Sequence, residues 1–398
     1  MDSHVPNAAY YLAGQSGVFS VAVGSAGMAK SSSLESLAKK LDIGFYQFIP
    51  SWREPTDAGG IPHLVEYKLD DSRTVKCVEM VSPKFVFDAL MRPSLLFVDE
   101  MNCCTPAMQA AMLGMVFERK VGDVELPEST LTFGACNPPS LAANGVPFEA
   151  PLANRMMHHI WEFPREAWMS GMRNGQDFPE PTPPLLADDW KTNMFTTSSL
   201  IAEFHDRVPG YLHPETDDEG NPQLSNAERS GAWPSPRTWS LAARALAGAK
   251  SADASTEVQY SIVKGCVGFS AAEAFDEYVD NLDMPDPEPV IQDVERAMAR
   301  KDSDEVMRAL VPRLERADKV RVFLGSVTGA IARETTPSRW YAAQEILRQS
   351  MIVDKEVSLV CAGPLYANKP KNVKISPEMV ETIWNTVGRT LDEKGGEA

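Results

Sequence analysis

The stretch that most restricts the fold of this chain is a strand-like run that passes without a gap into a loop of small residues. Residues 18–23, VFSVAV, are rich in β-branched side chains and stop at Gly24. The loop Gly24-Ser25-Ala26-Gly27-Met28-Ala29-Lys30-Ser31-Ser32 follows, and a helical pattern then covers Ser31–Leu41. A run of this kind suits a strand covered on both faces, the usual state of a parallel strand. Strand, glycine-containing loop, lysine, hydroxyl and helix is the order of a phosphate-binding P-loop. Small residues let backbone N–H groups curl around a phosphate at the positive end of the helix. Lys30 then extends to the phosphate oxygens, and Ser31 offers an oxygen to Mg²⁺. Ala29 stands where such loops ordinarily carry glycine. Taken alone, the segment also suits an ordinary glycine turn ahead of a helix.

Two further runs repeat the pattern. Leu95 to Val98 stops at Asp99 and Glu100, and Leu131 to Ala135, centred on Phe133, ends at Cys136, Asn137 and the turn-forming Pro138-Pro139. A helical pattern over Thr105–Phe117 lies between them. Strands alternating with helices predict a three-layer α/β domain over residues 1–170. The prolines of 174–186, NGQDFPEPTPPLL, cannot continue a helix and read as a linker. Residues 185–282 read as a mainly helical second domain. Its example helix starts at Pro236, with Trp239, Ala243 and Leu246 on one face, and residues 214–235 form a polar loop within it. A break at 283–289, DMPDPEP, precedes a helical extension over 286–398 carrying Val294, Met298, Val306, Leu310 and Leu314. The final DEKGGEA should fray.

The strand ends supply the chemistry. Ligands bind at the carboxyl edge of parallel sheets, where Asp99 and Glu100 emerge. Asp99 can hold a hydrated Mg²⁺, and Glu100 can orient and polarise a water attacking a γ-phosphate. The pair also suits a solvated acidic helix start. The Asn137 amide can reach toward the same phosphate, although asparagine before proline is a common turn residue. Arg155, in Leu152-Ala153-Asn154-Arg155, and Arg237, in Ser235-Pro236-Arg237, are either surface charges or suppliers of positive charge to phosphates.

Together these ordered segments resemble the AAA+ ATPases and, within them, the MoxR family. GSAGMAKSS stands as Walker A, LLFVDEMN as Walker B, GACNPP as sensor 1, LANR as the arginine-finger segment and SPR as sensor 2. Residues 54–62, EPTDAGGIP, are similar to the segment that MoxR-type proteins place after their second strand. The resemblance covers roughly residues 5–250. It implies a P-loop AAA+ three-layer sandwich with a mostly parallel central sheet, a helical lid over 185–282 and a helical C-terminal extension. Residues Gly24 to Ser32 would then bind ATP, with Ser31 and Asp99 on Mg²⁺. Glu100 would drive hydrolysis and Asn137 would sense the γ-phosphate. Arg155 would reach into the neighbouring subunit's site, and Arg237 would couple the lid to the nucleotide. The family works as homo-oligomeric rings, commonly hexamers, remodelling a protein client with a von Willebrand factor A domain partner. It also implies two hairpin inserts, at about 64–82, turning at Asp70-Asp71-Ser72, and at 119–132. Ala29 leaves room for a nucleotide-gated scaffold with little turnover, whereas the intact Asp99-Glu100 pair argues for hydrolysis. A nucleic-acid motor would share the same ATPase parts.

Composition weighs against that motor. With 38 Lys+Arg against 55 Asp+Glu the net charge is −17, and each phosphate contact to nucleic acid needs a cation. The six cysteines form no CxxC pair and read as reduced thiols, and residues 1–16 lack the pattern of a signal peptide. No run has the apolar length to span a bilayer, and the expected location is cytoplasmic. His158-His159 and Cys103-Cys104 are adjacent pairs whose side chains point apart, with no third ligand at zinc spacing. Met112, Met115, Met156 and Met157 read as core, and Lys369, Lys371 and Lys374 as a small solvated basic loop.

Overall fold

The structure, a computed structural model, describes residues 7–70, 73–138, 145–175, 184–213, 224–282, 286–302, 317–371 and 373–375. Several expected features lie outside these residues: the turn at Asp71-Ser72, Pro139, most of the 174–186 linker and residues 214–223. So do residues 283–285, the positions Val306, Leu310 and Leu314, and the DEKGGEA end.

Five strands form one parallel sheet: β1 (Ser20–Val23), β2 (Gly44–Phe48), β5 (Ser94–Val98), β8 (Thr130–Cys136) and β9 (Met157–Ile160). Their order across the sheet is β2-β5-β8-β1-β9. Ser20 of β1 sits opposite Phe133 of β8 on one side and Met157 of β9 on the other. Side chains of successive strand residues point to opposite faces, and β5 follows that rule with both faces covered. Leu95 and Phe97 pack with Leu34, Leu37, Tyr10 and Tyr11 from helices Lys30–Lys40 and Ala8–Gln15. Leu96 and Val98 pack with Val86, Met108 and Met112 from helices Lys84–Met91 and Pro106–Leu113. That is why the strand sequences read as apolar runs and not as alternations. The three-layer α/β fold expected from the sequence is the fold observed, with every strand of the central sheet parallel.

Two antiparallel hairpins interrupt the alternation, β3 (Ile61–Asp70) with β4 (Arg73–Val81), and β6 (Lys120–Val121) with β7 (Val124–Glu125). Their bases are tied together: Met80 N–H donates to Asp123 Oδ2 at 2.7 Å and Ser82 Oγ donates to Val121 O. Register places Ile61, Val65 and Tyr67 beside Val81, Cys77 and Val75, so one face of the long ribbon is mostly apolar. Ile61, Tyr67, Leu69, Val75 and Val81 are all exposed.

By internal contacts the chain divides into two compact units, Met1–Trp190 with Val208–Asp276, and Lys191–Arg207 with Glu277–Ala398. This differs from the boundaries drawn at the proline-rich breaks. Helix Pro236–Ser251, expected in a separate lid, packs on helix Ala8–Gln15, with Arg244 Nε donating to Ser16 O, and helix Thr256–Val267 packs on β9. Helix Met194–Arg207 belongs with the C-terminal helices instead. Thr196 Oγ1 donates to Gly325 O at 2.8 Å, and Arg321 pairs with Glu203 at 2.7 Å. Proline marks where a helix stops, not what it packs against. The second unit has its own core, including Val290, Ile291, Phe323, Trp340 and Ile346, beside a bidentate Arg339–Glu288 pair. Among the described residues no helix is long and apolar enough to cross a membrane.

Strand β9 carries the two histidines, and among the described residues no cluster that could hold a metal includes them. His159 Nε2–H donates to Asn7 Oδ1 at 3.0 Å, and His158 Nε2–H to Ala153 O at 3.0 Å. Burial holds both below the usual histidine range, His159 at about 4. An unfolded histidine titrates near pH ~6.5, so between ~6.5 and about 4 the unfolded chain binds the extra proton. The stabilisation from neutral His159 is therefore complete above ~6.5 and lost as pH falls toward 4. In urea titrations across that window we expect His159 to account for a loss of about 3 kcal/mol. His159→Gln, which keeps a donor for Asn7, should remove that share of the pH dependence.

Candidate functional site

The carboxyl ends of β1, β5 and β8 meet at one sheet edge, and a cavity of about 720 Å³ opens there. Its lining includes Ala26 to Ser32, Asp99, Glu100 and Asn137, bringing together residues far apart in sequence. The loop is shaped by two backbone demands. Gly27 has φ +76°, and a Cβ on Gly24 would lie 2.9 Å from Trp161 Cβ, so a larger residue would push the loop off the sheet. Ala29 adopts φ 60°, ψ 24° directly before helix Lys30–Lys40. That left-handed conformation costs an L-residue about 1–2 kcal/mol, the penalty glycine avoids.

Lys30 is 9% exposed, and its ammonium donates to Gly24 O, Ser25 O at 2.9 Å and Asn137 Oδ1 at 3.2 Å. Burial lowers its pKa, opposed by the nearby charges of Asp99 and Glu100. Three donors and three acceptors match, so the loop end of β1 and the end of β8 are joined through one cation. Asn137 is fixed from behind as well, since buried Asn102 Nδ2 donates to its carbonyl at 2.8 Å.

Asp99 accepts from Ser31 Oγ at 3.0 Å, from Gln47 Nε2 at 3.0 Å and from the Glu100 N–H at 2.9 Å. Asp99 N–H donates to Phe48 O on one neighbouring strand and Met101 N–H to Ala135 O on the other. Glu100 is thus held between two anchored residues, and it too has a left-handed backbone, φ 52°. Strained non-glycine residues of this kind persist only where their surroundings over-determine them. Its carboxylate is exposed, with Ser51 Oγ donating to Oε2 at 3.3 Å. The cysteines nearby stay protonated at neutral pH: burial pushes Cys136 up to about 12, and burial with the Glu100 charge raises Cys103.

Ser31 and Asp99 fit Mg²⁺. They are hard oxygen donors already at hydrogen-bond distance, and Mg²⁺ in phosphate sites commonly takes one or two protein ligands beside phosphate and water.

The two arginines stand elsewhere. Neither lines the cavity. Arg155 and Arg237 lie 5.3 and 5.2 Å from the ring centroid of one residue, Phe117, in the π-helical turn Gly114–Glu118. Arg155 Nη1 donates to Pro151 O at 2.6 Å and Arg237 Nη1 to Asn154 Oδ1 at 3.2 Å. Among the described residues no carboxylate lies in ion-pair range of either guanidinium. Burial first, then the Arg237 charge, lowers the Arg155 pKa.

Sequence reasoning missed Gln47, Ser51, Asn102 and Trp161. Trp161 donates its indole N–H to Met28 O at 2.8 Å, bracing the loop from β9. Of these only Asn102 lies within a motif, at the end of LLFVDEMN.

No family model matches the chain, and no curated protein matches it. Among solved structures it is similar to a "putative ATPase" from Cytophaga hutchinsonii. The two are 18% identical with a TM-score of 0.40, over 66% of this chain and 82% of the other.

The strain at Ala29 has a measurable consequence. Ala29→Gly relieves the left-handed backbone but frees the unfolded chain, so we expect a net gain of about 0.5–1 kcal/mol in denaturant titrations. Ala29→Val, β-branched at the same φ, should lose stability. A stabilising valine would show that this position is not strained.

Proposed function

We propose that this chain is an ATP-hydrolysing AAA+ ATPase of the MoxR type, working as a ring of subunits, with six the expected number. The observation that carries the reading is the single cavity edge shared by Lys30, Ser31, Asp99, Glu100 and Asn137. In this reading the backbone N–H groups of residues 24–32 cradle the phosphates. Lys30, self-satisfied by loop carbonyls in the structure, turns part of its donor set to the β- and γ-oxygens. Ser31 and Asp99 would hold Mg²⁺, which would supply charge neutralisation to the phosphates. Glu100 takes the proton of the attacking water, and Asn137, released by Lys30, reports the γ-phosphate. Glu100→Gln keeps size and hydrogen bonding but removes the base. We expect phosphate release to fall at least ~100-fold while ATP binding persists. Turnover that survived this change would falsify the role of Glu100.

Both arginines then serve one purpose. Two guanidiniums over a single ring, without an ion-pair partner among the described residues, make a pair suited to an anion that another molecule brings. We assign that anion to the γ-phosphate bound by the adjacent subunit, which moves Arg237 from a lid contact within its own site to the subunit boundary. Arg155→Ala and Arg237→Ala should each suppress turnover with ATP binding nearly intact. Mixing either with Lys30→Ala protein should restore part of the activity, because one subunit then keeps its cavity and its neighbour keeps both arginines. Mixed rings, verified by differently tagged subunits, that stay inactive would count against that geometry.

The excess of 17 negative charges favours a protein client over nucleic acid, with a von Willebrand factor A domain protein as the expected partner. A nucleotide-gated scaffold is the second reading, supported by the strained Ala29. Phosphate release at saturating ATP separates the two.

A further inference from the structure

Strand β2, at the edge of the sheet, brings a polar side chain to the acid pair. Its residues alternate between the two faces: Tyr46 and Phe48 pack in one core, and Phe45 packs in the other, with its ring centroid 6.3 Å from that of Phe97. Gln47 is the next position on the Phe45 face, the face covered by helix Lys30–Lys40, whose first turn carries Ser31. Register pairs Gln47 with Phe97, so Asp99 lies two residues further along the neighbouring chain segment, within reach of a long side chain. Gln47 Nε2 donates to Asp99 Oδ2 at 3.0 Å, and Ser31 Oγ donates to the same oxygen at 3.0 Å. Oδ1 takes the Glu100 N–H at 2.9 Å. A carboxylate only accepts, so Gln47 presents its NH₂ group and not its carbonyl.

Resting on the phosphate-site reading above, we propose that Gln47 is a positioning residue for the metal half of the site: its amide holds the Asp99 carboxylate in the orientation that serves Mg²⁺ beside Ser31. The torsion that turns a carboxylate about its own Cβ–Cγ bond is broad, so anchoring the Asp99 backbone leaves that orientation undecided. Three donors on two oxygens decide it. The Glu100 N–H comes from the adjacent residue, and the Ser31 oxygen would be shared with the metal. Gln47 is the donor that comes from another strand, and it does not line the cavity. An exposed glutamine on an edge strand is ordinarily a solvated side chain, but this one is aimed at the oxygen that Ser31 also uses. Metal-binding carboxylates are themselves held by hydrogen bonds, and loss of such a partner costs about 10- to 100-fold in metal affinity. Water can replace part of an exposed bond, so the lower end of that range applies.

Isothermal titration of the full chain with ATP, once in EDTA and once in Mg²⁺, tests this. Gln47→Met keeps the length of the side chain and removes the donor. It should bind ATP in EDTA within about twofold of the wild type, while the gain in affinity on adding Mg²⁺ falls about tenfold. In phosphate-release assays the Mg²⁺ concentration at half-maximal rate should rise by about the same factor, with the rate at saturating Mg²⁺ within about twofold of wild type. Binding in EDTA also checks that the variant is folded. An unchanged response to Mg²⁺, or equal weakening in EDTA and in Mg²⁺, overturns the assignment while leaving the phosphate site standing. A wild type that gains nothing from Mg²⁺ overturns it as well. Wild-type protein that binds no ATP in either condition overturns the phosphate-site reading and this one with it.

Discussion

The ammonium of Lys30 is the interaction on which the candidate site depends. A cation removed from water must be surrounded by oxygens, and here those oxygens come from the loop after β1 and from the end of β8. Satisfying one buried charge therefore fixes the distance between two strand ends. Asn102 then locks Asn137 from the other side, and Trp161 braces the loop. The parallel sheet delivers the groups to one edge, and this small net of bonds holds them in register.

The fold was largely legible because its central strands are covered on both faces. Leu95 to Val98 alternates between the two cores and still reads as one apolar run, since water meets neither side. Strand β9 escaped notice for the opposite reason. Its sequence, MHHI, hides two histidines that burial keeps neutral, and neutral imidazole is not visible in composition. Strand β2 was signalled only through the segment that follows it.

Within the site, legibility followed the backbone. Residues fixed by strand–turn–helix order, from Gly24 to Ser32 and at Asp99, Glu100 and Asn137, can be placed from local sequence. Trp168 reaches the cavity wall, and Gln47 and Ser51 reach the carboxylates of Asp99 and Glu100, through tertiary packing, and no spacing rule links them to Lys30. The two arginines lie between these cases. Each belongs to a recognisable segment, yet their convergence on Phe117 depends on a π-helical turn that no periodicity announces. The division into units was hidden in the same way, because helix Met194–Arg207 follows one domain in sequence and packs with the other.

The apolar face of the β3–β4 ribbon bears on how the purified protein must be handled. Two-stranded ribbons are marginal in water, and one that exposes Ile61, Tyr67, Leu69, Val75 and Val81 is adhesive toward other copies. What opposes random association is the shared net charge of −17, acting over a distance set by ionic strength. Added salt, the usual remedy for a sticky protein, removes that repulsion and strengthens apolar contact. The chain should therefore be kept in solution by low ionic strength and a pH well above its isoelectric point, near 4.9.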